Sequence, residues 1–220
     1  MAGSGKIKYA LFDFDGTLVD TIELIHQSMK HATSGVLGRE YPRATLLANV
    51  GQPLPVQMAE FDPERVDELL ESYRAYNDEV HEQYIKSYPD IPASLRRLGE
   101  AGVEIAVVTS KRRHSVELAL KSFPELHEAV DRFVTMEDTE KHKPDPEPLL
   151  RGLEMLGGRD PEEAAYVGDA PFDVNAAKAA GMTSVAVSWG AFEWDVLELS
   201  RPDHLTEDVA GAVDYLLTLT

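Results

Sequence analysis

Short apolar runs alternate with stretches of helical periodicity along most of the chain. Tyr9–Phe14, Glu104–Thr109, Arg132–Thr135, Ala164–Val167 and Ser184–Val187 are apolar nearly throughout. Runs of this length without polar alternation predict strands buried on both faces, as in a parallel sheet. Between them, Pro92–Ala101, Ser115–Phe123, Glu147–Leu156 and Phe172–Ala180 predict helices, with Gly102 and Gly181 where helix-ending glycines belong. A last helix is expected over Asp208–Leu219. The alternation predicts an α/β protein whose parallel sheet is covered on both sides by helices.

Residues 21–88 break this rhythm and contain no convincing strand. Asp62-Pro63 predicts a helix start. Val66, Leu69, Tyr73, Tyr76, Val80 and Tyr84 then recur at helical spacing, and no glycine or proline interrupts from Glu64 to Tyr88. One long amphipathic helix is expected, inside a helical insert that joins the first strand to the rest. Its tyrosine stripe reads as packing.

Composition narrows the function. The 220 residues carry 39 acidic against 21 basic side chains, a formal net charge of -18. Such a field repels nucleic acid and anionic membranes, so neither is expected as a partner. No apolar run is long enough to cross a bilayer, and the absence of cysteine excludes disulfides and thiolate metal sites. A cytoplasmic location is the expectation, as a monomer or homodimer. The leading MAGSGK has the flavour of a phosphate-binding loop, but Ile7 stands where Ser or Thr is needed and the segment precedes the first strand.

Active sites in open parallel sheets form at the carboxyl ends of strands. Here the first apolar run ends in Asp13-Phe14-Asp15-Gly16, EIAVVT ends in Thr109-Ser110, and AAYVG runs into Asp169, with Asp173 four residues on. Alternation along a strand would place Asp13 and Asp15 on one side. Lys143 lies upstream in KHKPDP. Singly, each has a plain structural reading as a turn, a cap or a strand end. Together they place several carboxylates in one spot. Such crowding is ordinarily relieved by a divalent cation, and all-oxygen ligation suits Mg²⁺. The metal, Lys143, Thr109 and backbone N–H groups near Gly16 would reverse the local sign and admit an anion.

The ordered segments DFDGTLVDT, VVTS, KPDPEP and VGDAPFD resemble the four motifs of the haloacid dehalogenase superfamily of hydrolases. SYRAYNDEVHE and KPDPEP further resemble its bacterial inorganic pyrophosphatase branch, next to the phosphoglycolate phosphatases. The resemblance implies a Rossmann-like doubly wound core, residues 1–20 and 89–220, under a helical cap of the C1 type, residues 21–88. It implies Asp13 as nucleophile and Asp15 as acid and base. Mg²⁺ would be held by Asp13, the Asp15 carbonyl and Asp169, with Asp173 a ligand or anchor. Lys143 would neutralise charge, and Gly16, Thr109 and Ser110 would hold phosphoryl oxygens. The expected substrate is a small phosphorylated metabolite, with inorganic pyrophosphate ahead of phosphoglycolate. The alternatives are a sugar phosphomutase, disfavoured by Leu54 where an arginine is expected, and a non-catalytic binding module. A metal-free dehalogenase is disfavoured by the presence of Asp15. Arg43, Gln52, Arg74 and His81 are the polar candidates for selection by the cap, with Arg74 expected to meet the leaving group.

Overall fold

The computed structural model describes residues 6–88 and 90–220. Met1–Gly5, most of the MAGSGK segment, lies outside the described residues. In chain order the elements begin with β1 (Tyr9–Phe12), β2 (Val19–Asp20), α1 (Ile22–Leu37), α2 (Arg43–Leu47), α3 (Leu54–Phe61), α4 (Val66–Tyr84) and β3 (Lys86–Ser87). Next come α5 (Ile91–Glu100), β4 (Glu104–Val108), α6 (Arg113–Ser122), α7 (Pro124–Ala129), β5 (Phe133–Val134) and α8 (Glu147–Met155). The chain closes with β6 (Ala164–Gly168), α9 (Pro171–Ala180), β7 (Thr183–Val187), α10 (Trp194–Leu199), β8 (His204–Thr206) and α11 (Val209–Thr218).

Six strands pair in the order β5-β4-β1-β6-β7-β8, every pair parallel. The two-residue period of the strands divides their side chains between two cores. Ala10, Phe12, Val107, Ala165 and Val167 face α5, α6, α7 and α11 through Leu95, Val116, Leu126 and Leu216. Leu11, Val108, Val134 and Tyr166 face α8 and α9 through Leu149, Leu153 and Ala177. Neither face meets water, which is why these strands read as unbroken apolar runs. The chain crosses from one side of β1 to the other between β5 and β6, so the carboxyl ends of β4, β1 and β6 converge at a switch point.

The insert between β2 and β3 has its own apolar cluster, in which α1 and α4 pack through Ile25, Met29, Leu69 and Tyr73. The expected single helix from 64 to 88 is shorter at both ends. Asp62 does not cap it. The Asp62 carboxylate instead accepts the Glu64 N–H at 3.0 Å, and its carbonyl accepts the Arg65 N–H, closing a turn before α4. At the other end Ile85 is extended and buried in the main core, and the next two residues pair antiparallel with β2. Burial of Ile85 and the ribbon outweigh local helix propensity there. The short strand β8 and the short helices α7 and α10 also go beyond the sequence reading. Gly102 and Gly181 do follow helix ends, at φ +86° and +76°.

Gly152 shows how tightly α8 lies on the sheet. A Cβ there would meet Leu11 Cδ2 at 2.5 Å and Val108 Cγ2 at 2.6 Å, both in the buried core. Gly152→Val should therefore destabilise the fold by about 1–3 kcal/mol through overpacking. Urea unfolding followed by tryptophan fluorescence will show a lower midpoint at unchanged slope, and an unmoved midpoint would refute the close packing.

Candidate active site

Strand register brings the predicted residues together. Phe12 lies level with Val107 of β4 and Val167 of β6, so Asp13, Thr109 and Asp169 follow within a residue or two of one another. The strand ends at Phe12, so alternation does not aim Asp13 and Asp15. A turn does, in which the Phe14 carbonyl accepts the N–H groups of Leu18 and Val19. Both aspartates border one cavity.

Asp13 is buried, and its Oδ1 accepts the Phe14 N–H at 2.8 Å. Lys143 Nζ lies 3.0 Å from Asp13 Oδ2 and 2.7 Å from Asp173 Oδ1. It also donates to the Tyr166 hydroxyl at 2.9 Å, which in turn donates to the Val108 carbonyl at 2.7 Å. Tyr166 was not singled out from the sequence. The one signal was a large polar-tipped ring in an otherwise small-residue buried strand. Asp173 stands on the first turn of α9 and accepts the Ala170 N–H at 2.9 Å. Asp169 accepts the Ala191 N–H at 2.6 Å and lies 3.4 Å from the Thr17 hydroxyl. Glycines make room for these carboxylates: a Cβ on Gly16 or Gly190 would strike Asp169, and one on Gly168 would strike Asp173.

Oxygens of Asp13, Asp169 and Asp173 come within 4.8 Å of one another, all buried. Three buried carboxyls face one ammonium. Burial pushes the Asp13 carboxyl up to about 7 against the pull of Lys143, with Asp173 and Asp15 adding to the rise. Burial, then Asp173 and Asp13, push Asp169 well above the usual range. Burial works against the Lys143 ammonium, but Asp13 and Asp173 outweigh it and hold its pKa well above the usual lysine value. The cluster is thus short of positive charge, and its hard oxygen donors fit a divalent cation such as Mg²⁺.

Other expected residues have different places. The N–H of Gly16 donates to the Val19 carbonyl at 2.8 Å, so it is not free for a phosphoryl oxygen. Its φ of +73° and lack of a side chain serve Asp169 instead. The Ser110 hydroxyl donates to the Gly51 carbonyl of the insert at 2.8 Å, tying insert to core. Thr109 is buried on the cavity wall, and its Oγ1 accepts the Lys111 N–H at 3.2 Å. Of the four polar candidates in the insert, only Gln52 lines the cavity. Arg43 pairs with Glu23 at 2.6 Å, and Arg74 and His81 stand outside the wall.

Lys111 and Arg112 line the cavity and were overlooked, as were Gln57, Tyr73 and Asn77. Lys111 Nζ sits 2.8 and 3.1 Å from the two carboxylate oxygens of Asp15, whose Oδ1 also accepts the Thr21 hydroxyl at 2.6 Å. The signal for Lys111 was its place two residues after Thr109 at a strand end. Leu54, the position weighed against a mutase, does lie on the wall, so no cation stands there. The cavity holds about 60 Å³. That is room for roughly four or five water-sized positions, the scale of a small anion.

Comparison with known proteins agrees with this construction. The signature of the family described as haloacid dehalogenase-like hydrolase matches residues 10–187. A Caldanaerobacter subterraneus protein with a provisional pyrophosphatase PpaX designation is 42% identical over 205 residues, 93% of this chain and 92% of that protein. Pyrophosphatase PpaX of Bacillus cereus is 36% identical over 211 residues, 96% of this chain and 97% of its own. Among solved structures, a haloacid dehalogenase-like family hydrolase from Streptococcus pneumoniae superposes with a TM-score of 0.82 at 25% identity, over 95% of this chain and 98% of that one. No helix among the described residues is long and apolar enough to cross a membrane. With the family signature spanning most of the chain and relatives matching it end to end, this protein belongs to the haloacid dehalogenase-like hydrolase family.

Proposed function

We propose that the protein is a Mg²⁺-dependent phosphohydrolase that works through an aspartyl-phosphate, with inorganic pyrophosphate as its best small substrate. One observation carries the chemistry: a buried aspartate at the end of β1, bordering the cavity, shares one lysine with Asp173, beside Asp169. The preference for pyrophosphate is supported by the relatives named for that activity, whose similarity runs through the helical insert as well as the core.

Asp13 Oδ attacks phosphorus in line, forming an O–P bond as the bond from phosphorus to the bridging oxygen breaks. That oxygen takes a proton from Asp15 and leaves as the first phosphate. Water then attacks the aspartyl-phosphate, giving its proton back to Asp15, and the Asp13 O–P bond breaks to release the second phosphate. Lys143 offsets charge on the transferring phosphoryl from its place between Asp13 and Asp173. Thr109, on the cavity wall, holds a phosphoryl oxygen. Asp13, the Asp15 carbonyl and Asp169 would hold the divalent cation, with Asp173 anchoring the set, and the bound ion would supply further neutralisation of phosphoryl charge. The insert, residues 21–88, serves as a cap that opens for exchange and closes to exclude water.

Pyrophosphate hydrolysis by the purified protein should need Mg²⁺ and vanish in excess EDTA, returning when Mg²⁺ is restored. Full turnover in chelator would remove the metal from the scheme. Asp13→Asn should lose turnover by about 10³-fold or more, as expected when an attacking group is removed. It should also fail to trap phosphate from labelled substrate while keeping a wild-type melting curve, and near-normal rates would assign the attack elsewhere. Asp15→Ala should slow esters with poor leaving groups far more than aryl phosphates, because only the former need the proton. A flat dependence on leaving-group pKa would count against Asp15 as acid.

A further inference from the structure

Each of the two aspartates on the cavity has its own lysine. Lys143 sits on Asp13, whereas Lys111 grips both oxygens of Asp15. Under the phosphohydrolase reading above, Asp13 meets the transferred phosphorus and Asp15 meets the bridging oxygen. Whatever lies beyond that oxygen is therefore on the Asp15 side, next to Lys111. The next residue, Arg112, lines the same cavity. Its Nη2 lies 3.3 Å from Asp78 of α4 and 3.2 Å from the Ser115 hydroxyl, also on the wall.

Two cations stand on this side, Lys111 facing Asp15 and Arg112 facing Asp78. Among the described residues Asp78 is the carboxylate paired with Arg112, and Asp78 is also 3.4 Å from His114. Arg74 on α4 has a buried Nε with no partner. Burial and the neighbouring Arg112 hold its guanidinium below the usual arginine value. Inside the cavity, Lys111 and Arg112 keep N–H donors beyond those spent on Asp15, Asp78 and Ser115.

We propose that Lys111 and Arg112 form the subsite for the leaving phosphoryl group, and that they select substrates whose leaving group is itself a phosphoryl anion. The proposal rests on the phosphohydrolase reading and adds to it the origin of its specificity. Lys111 has three donors, enough to keep Asp15 and reach a leaving oxygen together. The Arg112 fork matches two oxygens of a tetrahedral dianion. A carboxylate, such as the far end of phosphoglycolate, also fits the fork but carries less charge for the pair to offset. The cation expected from Arg74 in the insert is thus supplied by the core loop after β4.

The test compares Lys111→Met and Arg112→Gln with wild type on three substrates: pyrophosphate, glycerol 2-phosphate with its neutral and poor leaving group, and p-nitrophenyl phosphate with a good one. For each variant kcat/KM should fall by about tenfold to a hundredfold more on pyrophosphate than on either ester, as expected for a lost charge-assisted contact. If Lys111→Met slows glycerol 2-phosphate as much as pyrophosphate and spares the aryl ester, Lys111 acts only through Asp15 and the subsite is wrong. Equal losses on all three substrates also overturn it. Thermal melting checks folding, and Arg112→Gln, at a more exposed position, decides the matter should Lys111→Met not fold. The wild-type ranking is read separately. A wild type that prefers the esters to pyrophosphate overturns the substrate reading and the subsite with it, whereas intact preference with uniform losses overturns the subsite alone.

Discussion

The floor of the site depends on one buried ammonium. Asp13, Asp169 and Asp173 are almost wholly withdrawn from water, and removing an ion from water costs several kcal/mol unless it is matched. Lys143 matches two of the three directly. Its own position is set by Tyr166 of β6, whose hydroxyl donates to the Val108 carbonyl of β4, on the far side of β1. The sheet, through β4 and β6, thereby fixes the charge that lets the carboxylates stay. The match is incomplete, and burial, with the surplus carboxylate charge adding to it, raises Asp13 and Asp169. A cluster that is costly empty and relieved by a cation is primed to bind one.

The same reasoning resolves the overall acidity of the molecule. A net charge of -18 would oppose the approach of a polyanion. At the site the sign is set locally, by Lys111 and Arg112 on the wall, Lys143 beneath, and a divalent cation that the Asp13, Asp169 and Asp173 carboxylates would hold. Over a few ångströms these local charges outweigh the distant surface field, which solvent and salt screen.

The helical insert completes the enclosure through a few contacts with the core. Ser110 donates to the Gly51 carbonyl, and Arg112 pairs with Asp78. Gly51 itself lies against the loop before α9, where a Cβ would come 3.0 Å from Ala170. The apolar clusters of the two layers are largely separate. Packing between layers is therefore lighter than packing within each, a condition that lets one layer move against the other at modest cost.

The fold class, the strands that carry the site and the line of carboxylates at their ends are legible in the residue pattern alone. These are local matters: a strand buried on both faces must be apolar throughout, and the segments around Asp13, Asp169 and Lys143 are contiguous and ordered. The rest depends on contacts between distant segments. Helix α4 stops at Tyr84 because Ile85 belongs to the distant core, which no periodicity within the helix records. Gly16 and Ser110 turned out to serve Asp169 and Gly51, since a donor's partner depends on what folds against it. Lys111 and Arg112 carry no mark in the sequence that separates them from other loop cations, whereas Arg74, expected to meet the leaving group, stands outside the wall. Which cation faces the cavity depends on helix rotation and on how the layers meet. Those are set by packing between residues dozens of positions apart, not by the residues beside each charge.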